Sequence, residues 1–160
     1  MIYIVMGVSG CGKSTVARLL GENLSLPFYD ADDYHFPENI KKMKGGIPLT
    51  DADRKPWLTL LANKIKLWET SGGAVLACSS LKQIYRELLS STTAGVVKFI
   101  YLKGDKALLR SRLSNRKSHF MPETLLDSQL KTLEPPVDAI TILIENSLDE
   151  MISKILQDVR

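Results

Sequence analysis

Gly7-Val8-Ser9-Gly10-Cys11-Gly12-Lys13-Ser14 is a complete G-x-x-x-x-G-K-[ST] pattern, and its flanks decide the fold. Ahead of it, Ile2-Tyr3-Ile4-Val5-Met6 is a short apolar run of the kind that forms a buried parallel strand. Behind it, Val16, Leu19 and Leu20 recur at helical spacing. Strand, glycine loop and helix in that order give the pattern its mechanism. Backbone N–H groups close around phosphate oxygens, and the helix contributes its positive N-terminal end. Lys13 would reach the β- and γ-phosphates, and Ser14 would ligate Mg²⁺. The stretch from Gly7 through Val8, Ser9, Gly10, Cys11, Gly12, Lys13 and Ser14 to Thr15 therefore implies a nucleoside triphosphate site.

Outward from the loop, the chain alternates strand and helix. Strands are expected at 2–6, 27–30, 74–78, 96–102 and 140–144. Helices are expected at 13–24, 56–70, 82–90, 105–115, 122–133 and 148–159. Trp57, Leu60, Leu61, Ile65 and Trp68 mark one face of the longest helix, and Thr50-Asp51-Ala52-Asp53 reads as its capping turn. Core packing is the expected role of both tryptophans. Alternating elements predict an α/β fold of three layers, with a five-stranded parallel sheet and ligands at the carboxyl ends of its strands.

The whole chain, 160 residues, suits a single domain. A 44% hydrophobic and 24% charged composition is that of an ordinary globular protein. The net charge of +3 is too small to point to nucleic acid and fits an anionic small molecule. Cys11 and Cys78 form no metal-ligand or disulfide pattern, and Cys11 at a variable loop position is not expected to be a catalytic thiol. No basic-then-apolar leader precedes the first strand and no apolar run approaches the length of a membrane span, so a cytoplasmic location without a membrane partner is expected.

A phosphate loop does not say where the phosphoryl group goes. The second strand ends in Asp30-Ala31-Asp32-Asp33-Tyr34-His35, and carboxylates at a strand end beside the loop suit Mg²⁺ and a nucleophilic hydroxyl. In an extended strand end, Asp30 and Asp32 would share one face. Asp32 is then the expected general base and Asp30 the Mg²⁺-linked carboxylate.

The segments that follow resemble the gluconate kinase family. His35, Asn39, Lys42 and Met43 fill an H-x-x-x-N-x-x-K-M pattern, and Gly46 through Trp57 fill G-x-P-L-x-D-x-D-R-x-P-W. Cys78 through Arg86 is similar to C-S-[AS]-L-K-x-x-Y-R, Arg116 through Phe120 to R-x-x-H-F, and Ser128 through Pro136 to S-Q-x-x-x-L-E-x-P. Together with the phosphate loop and the end of its strand, these motifs span about residues 5 to 136. One departure stands out: the third strand ends in Cys78-Ser79-Ser80 without an acidic residue, which leaves Asp30 to serve Mg²⁺.

The resemblance implies a nucleoside-monophosphate-kinase-like fold with a short lid near 116–121 and a substrate-side helical segment near 38–55. It implies transfer of phosphate from ATP, with Mg²⁺, to the 6-hydroxyl of D-gluconate, and a possible homodimer. With the family guiding the choice, the substrate set is Asp32, His35, Arg54, Lys82 and Arg86, because arginine binds a carboxylate in bidentate fashion. Arg112 and Arg116, four apart on one helix face, are expected to meet triphosphate charge, with Arg116 catalytic alongside Lys13 and Asp32. Pro135 is expected in a loop near adenine. A shikimate-kinase-like or nucleotide kinase, or an NTP-binding switch without an acceptor, stays open at this point.

Overall fold

The computed structural model describes residues 1–94, 97–114 and 125–159. β1 (Ile2–Met6) is buried throughout and pairs in parallel with β3 (Ala74–Ala77) and β4 (Val97–Lys103). β2 (Phe28–Asp30) and β5 (Ile140–Leu143) take the edges, giving the parallel order β2-β3-β1-β4-β5. Helices cover both faces. α1 (Lys13–Leu24) packs on β1, β2 and β3 and against α7 (Leu148–Val159); α3 (Asp51–Thr70) packs on β1 and β3 and against α4 (Gln83–Ser90). The expected three-layer α/β architecture is the one observed. A strand with both faces covered has no use for polar alternation, which is why β1 reads as an unbroken apolar run.

β1 runs out directly into the phosphate loop. Gly7 has φ +148°, and a Cβ there would stand 2.8 Å from Cys11 Sγ and 2.9 Å from the Leu102 carbonyl oxygen. Only glycine fits a turn held that tightly against the end of β4. α1 then starts at Lys13 with no side-chain cap, which leaves its first N–H groups to a ligand.

Two local readings change. The D-x-D segment is not an extended strand end: β2 stops at Asp30, and residues 31–34 form a 3₁₀ turn. The reason is Asp30 itself, whose Oδ1 accepts the Asp32 N–H at 3.0 Å and caps that turn. α3 begins at Asp51, not at Pro56, behind a reciprocal capping box. Thr50 Oγ1 accepts the Asp53 N–H at 3.0 Å, and Asp53 Oδ2 accepts the Thr50 N–H at 2.9 Å. That box outweighs Pro56, which so near the helix start deprives only the Ala52 carbonyl of its helical donor.

The tryptophans pack in the core as expected. Trp68 stacks on Tyr29 with ring centroids 4.1 Å apart. Trp57 donates its indole N–H to the Ala31 carbonyl at 2.9 Å, tying α3 to the turn that carries Asp32.

Candidate active site

One cleft gathers the phosphate loop, the 3₁₀ turn, the first turn of α3 and two helices that roof it, α2 (Pro37–Lys44) and α6 (Leu125–Thr132). Lys13 and Ser14 line it from the loop, Asp32 and His35 from the turn, and Arg54 and Trp57 from α3. The Lys13 ammonium donates to the Val8 carbonyl at 3.1 Å, which lays the side chain back across its own loop.

Ser14 Oγ donates to Asp30 Oδ2 at 2.5 Å. A hydroxyl and a carboxylate oxygen so paired, beside a phosphate-binding loop, fit Mg²⁺, which uses few protein ligands and keeps water and phosphate oxygens for the rest of its octahedron. No cluster of three or more His, Cys, Asp or Glu side chains among the described residues could hold a metal alone. Burial, with Asp30 and Asp32 close by, pushes the Asp33 carboxyl above its ordinary value, a repulsion that a cation at Asp30 would relieve.

Asp32 stays solvent-accessible, with His35 Nε2 3.5 Å from its Oδ1. The His35 side chain is only 3% exposed and stacks on Trp57 at 4.0 Å, so the imidazole cannot swing away. Its Nδ1 is buried without a hydrogen-bond partner among the described residues. Buried polar nitrogens are normally satisfied. In a cleft lined by polar groups, a ligand hydroxyl is a natural partner for this one.

Gln129 was not among the expected site residues. Its Oε1 accepts the Ser9 N–H at 2.7 Å in a buried bond that fastens α6 to the phosphate loop. The sequence held a sign of this, because Gln129 falls at helical spacing from the buried Leu125 and Leu126. A glutamine in an apolar stripe has a polar partner to find. Leu125 also meets Met43 and Leu49 in a small cluster apart from the main core, joining α6 to the α2–α3 segment.

The shikimate kinase family model matches residues 9–160. A gluconokinase of Gluconobacter oxydans is 47% identical, covering 84% of this chain and 76% of its own length. The thermoresistant gluconokinase of Escherichia coli is 38% identical, covering 99% and 93%. The crystal structure of a gluconokinase from Sinorhizobium meliloti superposes with a TM-score of 0.87 at 40% identity, covering 97% of this chain and 89% of that one. The chain belongs to the gluconokinase family. It is a P-loop kinase, and no described helix is long and apolar enough to cross a membrane.

Within this kinase three residues expected at the ligands lie outside the cleft lining. Arg86 is 4% exposed and spends its guanidinium on the carbonyls of Ser80, Leu81 and Glu134 and on Gln83 Oε1. It locks the end of β3 to the segment after α6 and is absent from the cleft lining. Burial holds it below its ordinary pKa, as expected for a cation enclosed among neutral dipoles. Lys82 pairs instead with Asp51 at 3.0 Å and also lies outside the cleft lining. Pro135 lies in a separate depression with Gln83, Arg86 and Val97, because Glu134 is tied to the start of α4 through the Gln83 N–H at 2.8 Å. No phosphate-loop residue shares that depression, so Pro135 is not brought to the cleft that Lys13 and Ser14 line.

Arg112, on α5 (Lys106–Ser114), donates to the Ile144 carbonyl at 2.9 Å, beyond the end of β5. Arg116 and the lid of 116–121 lie outside the described residues. Both cysteines are buried, and burial pushes the Cys78 thiol up to about 11, so it stays protonated at neutral pH.

Proposed function

We propose that this kinase transfers the γ-phosphoryl group of ATP to the 6-hydroxyl of D-gluconate, giving 6-phosphogluconate and ADP. The observation that carries the reading is the convergence of Asp32, His35 and Arg54 on the cleft that Lys13 and Ser14 line. Phosphoryl transfer needs a carboxylate at the attacking oxygen and cations on the departing phosphates. A linear polyol acid needs, in addition, a cation for its carboxylate and polar groups for its hydroxyls. Gluconokinases among the relatives favour that acceptor.

In this reading Asp32 takes the proton of the 6-hydroxyl as its oxygen bonds to the γ-phosphorus and the bond to the β-phosphate oxygen breaks. Lys13 stays on the phosphates as charge shifts to the leaving ADP. Mg²⁺ on Ser14 and Asp30 would neutralise the phosphate charge. His35, clamped by Trp57, orients a substrate hydroxyl, and Arg54 binds the carboxylate. Arg112 and Arg116 are proposed to meet the nucleotide. A cytoplasmic, single-domain homodimer completes the proposal, with neither nucleic acid nor membrane as partner.

Coupled ADP release with gluconate, shikimate, AMP or no acceptor tests it. Turnover with gluconate alone is expected. Faster turnover with shikimate or AMP, or the same rate without acceptor, would overturn it.

A further inference from the structure

Arg54 is held in a way that its role alone does not explain. Tyr85 on α4 is buried, and its Oη accepts a hydrogen bond from Arg54 Nη1 at 3.0 Å. The same hydroxyl donates to Asp51 Oδ1 in a short bond. Lys82 Nζ reaches both oxygens of Asp51, at 3.0 Å from Oδ1 and 3.2 Å from Oδ2. The Arg54 guanidinium carbon also sits 5.3 Å from the centre of the Tyr85 ring. The result is a continuous chain from Lys82 through Asp51 and Tyr85 to Arg54, in which only Arg54 lines the cleft.

The order of charges in this chain matters. Asp51 and Arg54 are three residues apart on one helix, a spacing at which an aspartate and an arginine reach each other directly. Such a pair would compensate the arginine and draw it along α3, away from the cleft. The phenol stands between them instead. With its proton committed to Asp51, the Tyr85 oxygen offers Arg54 only lone pairs, a neutral anchor that orients the guanidinium without a direct ion pair. Among the described residues no carboxylate lies within ion-pair distance of Arg54. The Tyr85 hydroxyl, then Lys82, and last the more distant Arg54 charge lower the pKa of Asp51, and the bond to Asp51 raises that of Lys82.

We propose that Tyr85 is a positioning residue that holds Arg54 out of a direct ion pair with Asp51, so that its guanidinium is presented to the carboxylate of the acceptor. Lys82 and Asp51 then act on substrate binding at one remove, which explains how Lys82 can serve the site without touching it. This rests on Arg54 as the carboxylate-binding cation of the proposed function.

Tyr85→Phe keeps the ring and removes only the hydroxyl. It should raise the KM for gluconate about tenfold, the scale of one hydrogen bond to a charged group, and leave kcat and the KM for ATP within about twofold. Adding Asp51→Ala to Tyr85→Phe removes the carboxylate onto which Arg54 would fall, and should bring the KM for gluconate part of the way back. A mutation that merely loosened the packing of α3 and α4 would move kcat and both KM values together, and a second substitution would make matters worse. Either of those results, or an unchanged KM for gluconate in Tyr85→Phe, would overturn the proposal. Should Tyr85→Phe fail to fold, Lys82→Met on the surface carries the same test. With Asp51 unbalanced and competing harder for Arg54, the KM for gluconate should rise about threefold, and no rise would overturn the relay. The wild-type enzyme is the control. No turnover of gluconate by wild type counts against the proposed function, whereas an active wild type with an indifferent Tyr85→Phe counts against the relay alone.

Discussion

At the scale of single residues, Asp30 and Asp32 are neighbours in different settings. Asp30 has one oxygen on Ser14 Oγ and the other on the Asp32 N–H, so it is immobilised beside the phosphate loop. Asp32 lines the open cleft beside His35. Asp30→Asn should therefore raise the Mg²⁺ concentration needed for half-maximal rate while leaving kcat at saturating Mg²⁺ largely intact. Asp32→Asn should lower kcat by about two to four orders of magnitude, the usual range for a general base, at any Mg²⁺ concentration. Mg²⁺ titrations of both variants decide it, and two equal defects that excess Mg²⁺ repairs would show that the roles are not divided. The pair also marks the limit of reading residues in sequence. Spacing made both carboxylates visible, yet their separation comes from the 3₁₀ turn that Asp30 caps, and nothing in an alternating pattern announces a side chain bonding its own backbone. Arg86 fails differently. As a charged residue at a helix start it reads as a ligand, and only the carbonyls packed around it in three dimensions show where its donors go.

At the scale of elements, the strands and the long helices were legible because their signals are repetitive: an unbroken apolar β1, and an α3 face kept through Trp57, Leu61, Ile65 and Trp68. What periodicity does not carry is how elements are fastened. Asp53 closes the α3 capping box and also bonds Lys42 of α2 at 2.9 and 3.0 Å, while its carbonyl accepts from Asn39. The backbone bond to Thr50, then the Lys42 ammonium, hold the Asp53 carboxyl below its ordinary 3.8. A carboxyl depressed in the folded state stabilises the fold above its unfolded pKa, and that contribution is lost as pH falls through the lower folded value. Thermal midpoints should thus drop as pH is taken from about 5 to below 3.8, and Asp53→Asn should flatten part of that drop. An identical pH profile for the variant would remove Asp53 from the linkage. α6 offers the second fastening. Gln129→Leu preserves volume but strips the Ser9 N–H of its buried acceptor, at a cost of about 1–3 kcal/mol for an unsatisfied donor. The phosphate loop loosens, so the KM for ATP should rise about tenfold and the KM for gluconate much less. Steady-state kinetics in both substrates would show it, and a larger effect on gluconate would place Gln129 on the acceptor side instead.

At the scale of the whole molecule, the cleft is walled by two units that a sheet-based reading treats as unrelated. One is the α2–α3 segment beside the acceptor residues, anchored through Asp53; the other is α6, anchored to the phosphate loop through Gln129. They meet in the Met43, Leu49 and Leu125 cluster, outside the main core. An apolar contact outside the main core that joins the two walls can link what happens at one substrate to the other. Ordering of the phosphate loop by ATP would steady α6, hence Leu125, hence the α2–α3 segment where gluconate is proposed to bind, and the coupling must be reciprocal. Kinases gain from such linkage because water must be kept from the γ-phosphate until the acceptor is in place. Leu125→Ala removes the α6 side of the contact without touching any polar residue of the site. It should cost about 2–3 kcal/mol of stability, the low end for a buried leucine because the cluster is small and near the surface. More tellingly, it should abolish substrate synergy. In the wild type, the Kd for gluconate measured calorimetrically should fall several-fold when a non-hydrolysable ATP analogue is present, and in Leu125→Ala the two values should converge. Synergy that survives in a folded Leu125→Ala enzyme would mean that the walls communicate through the sheet, and that this cluster only packs.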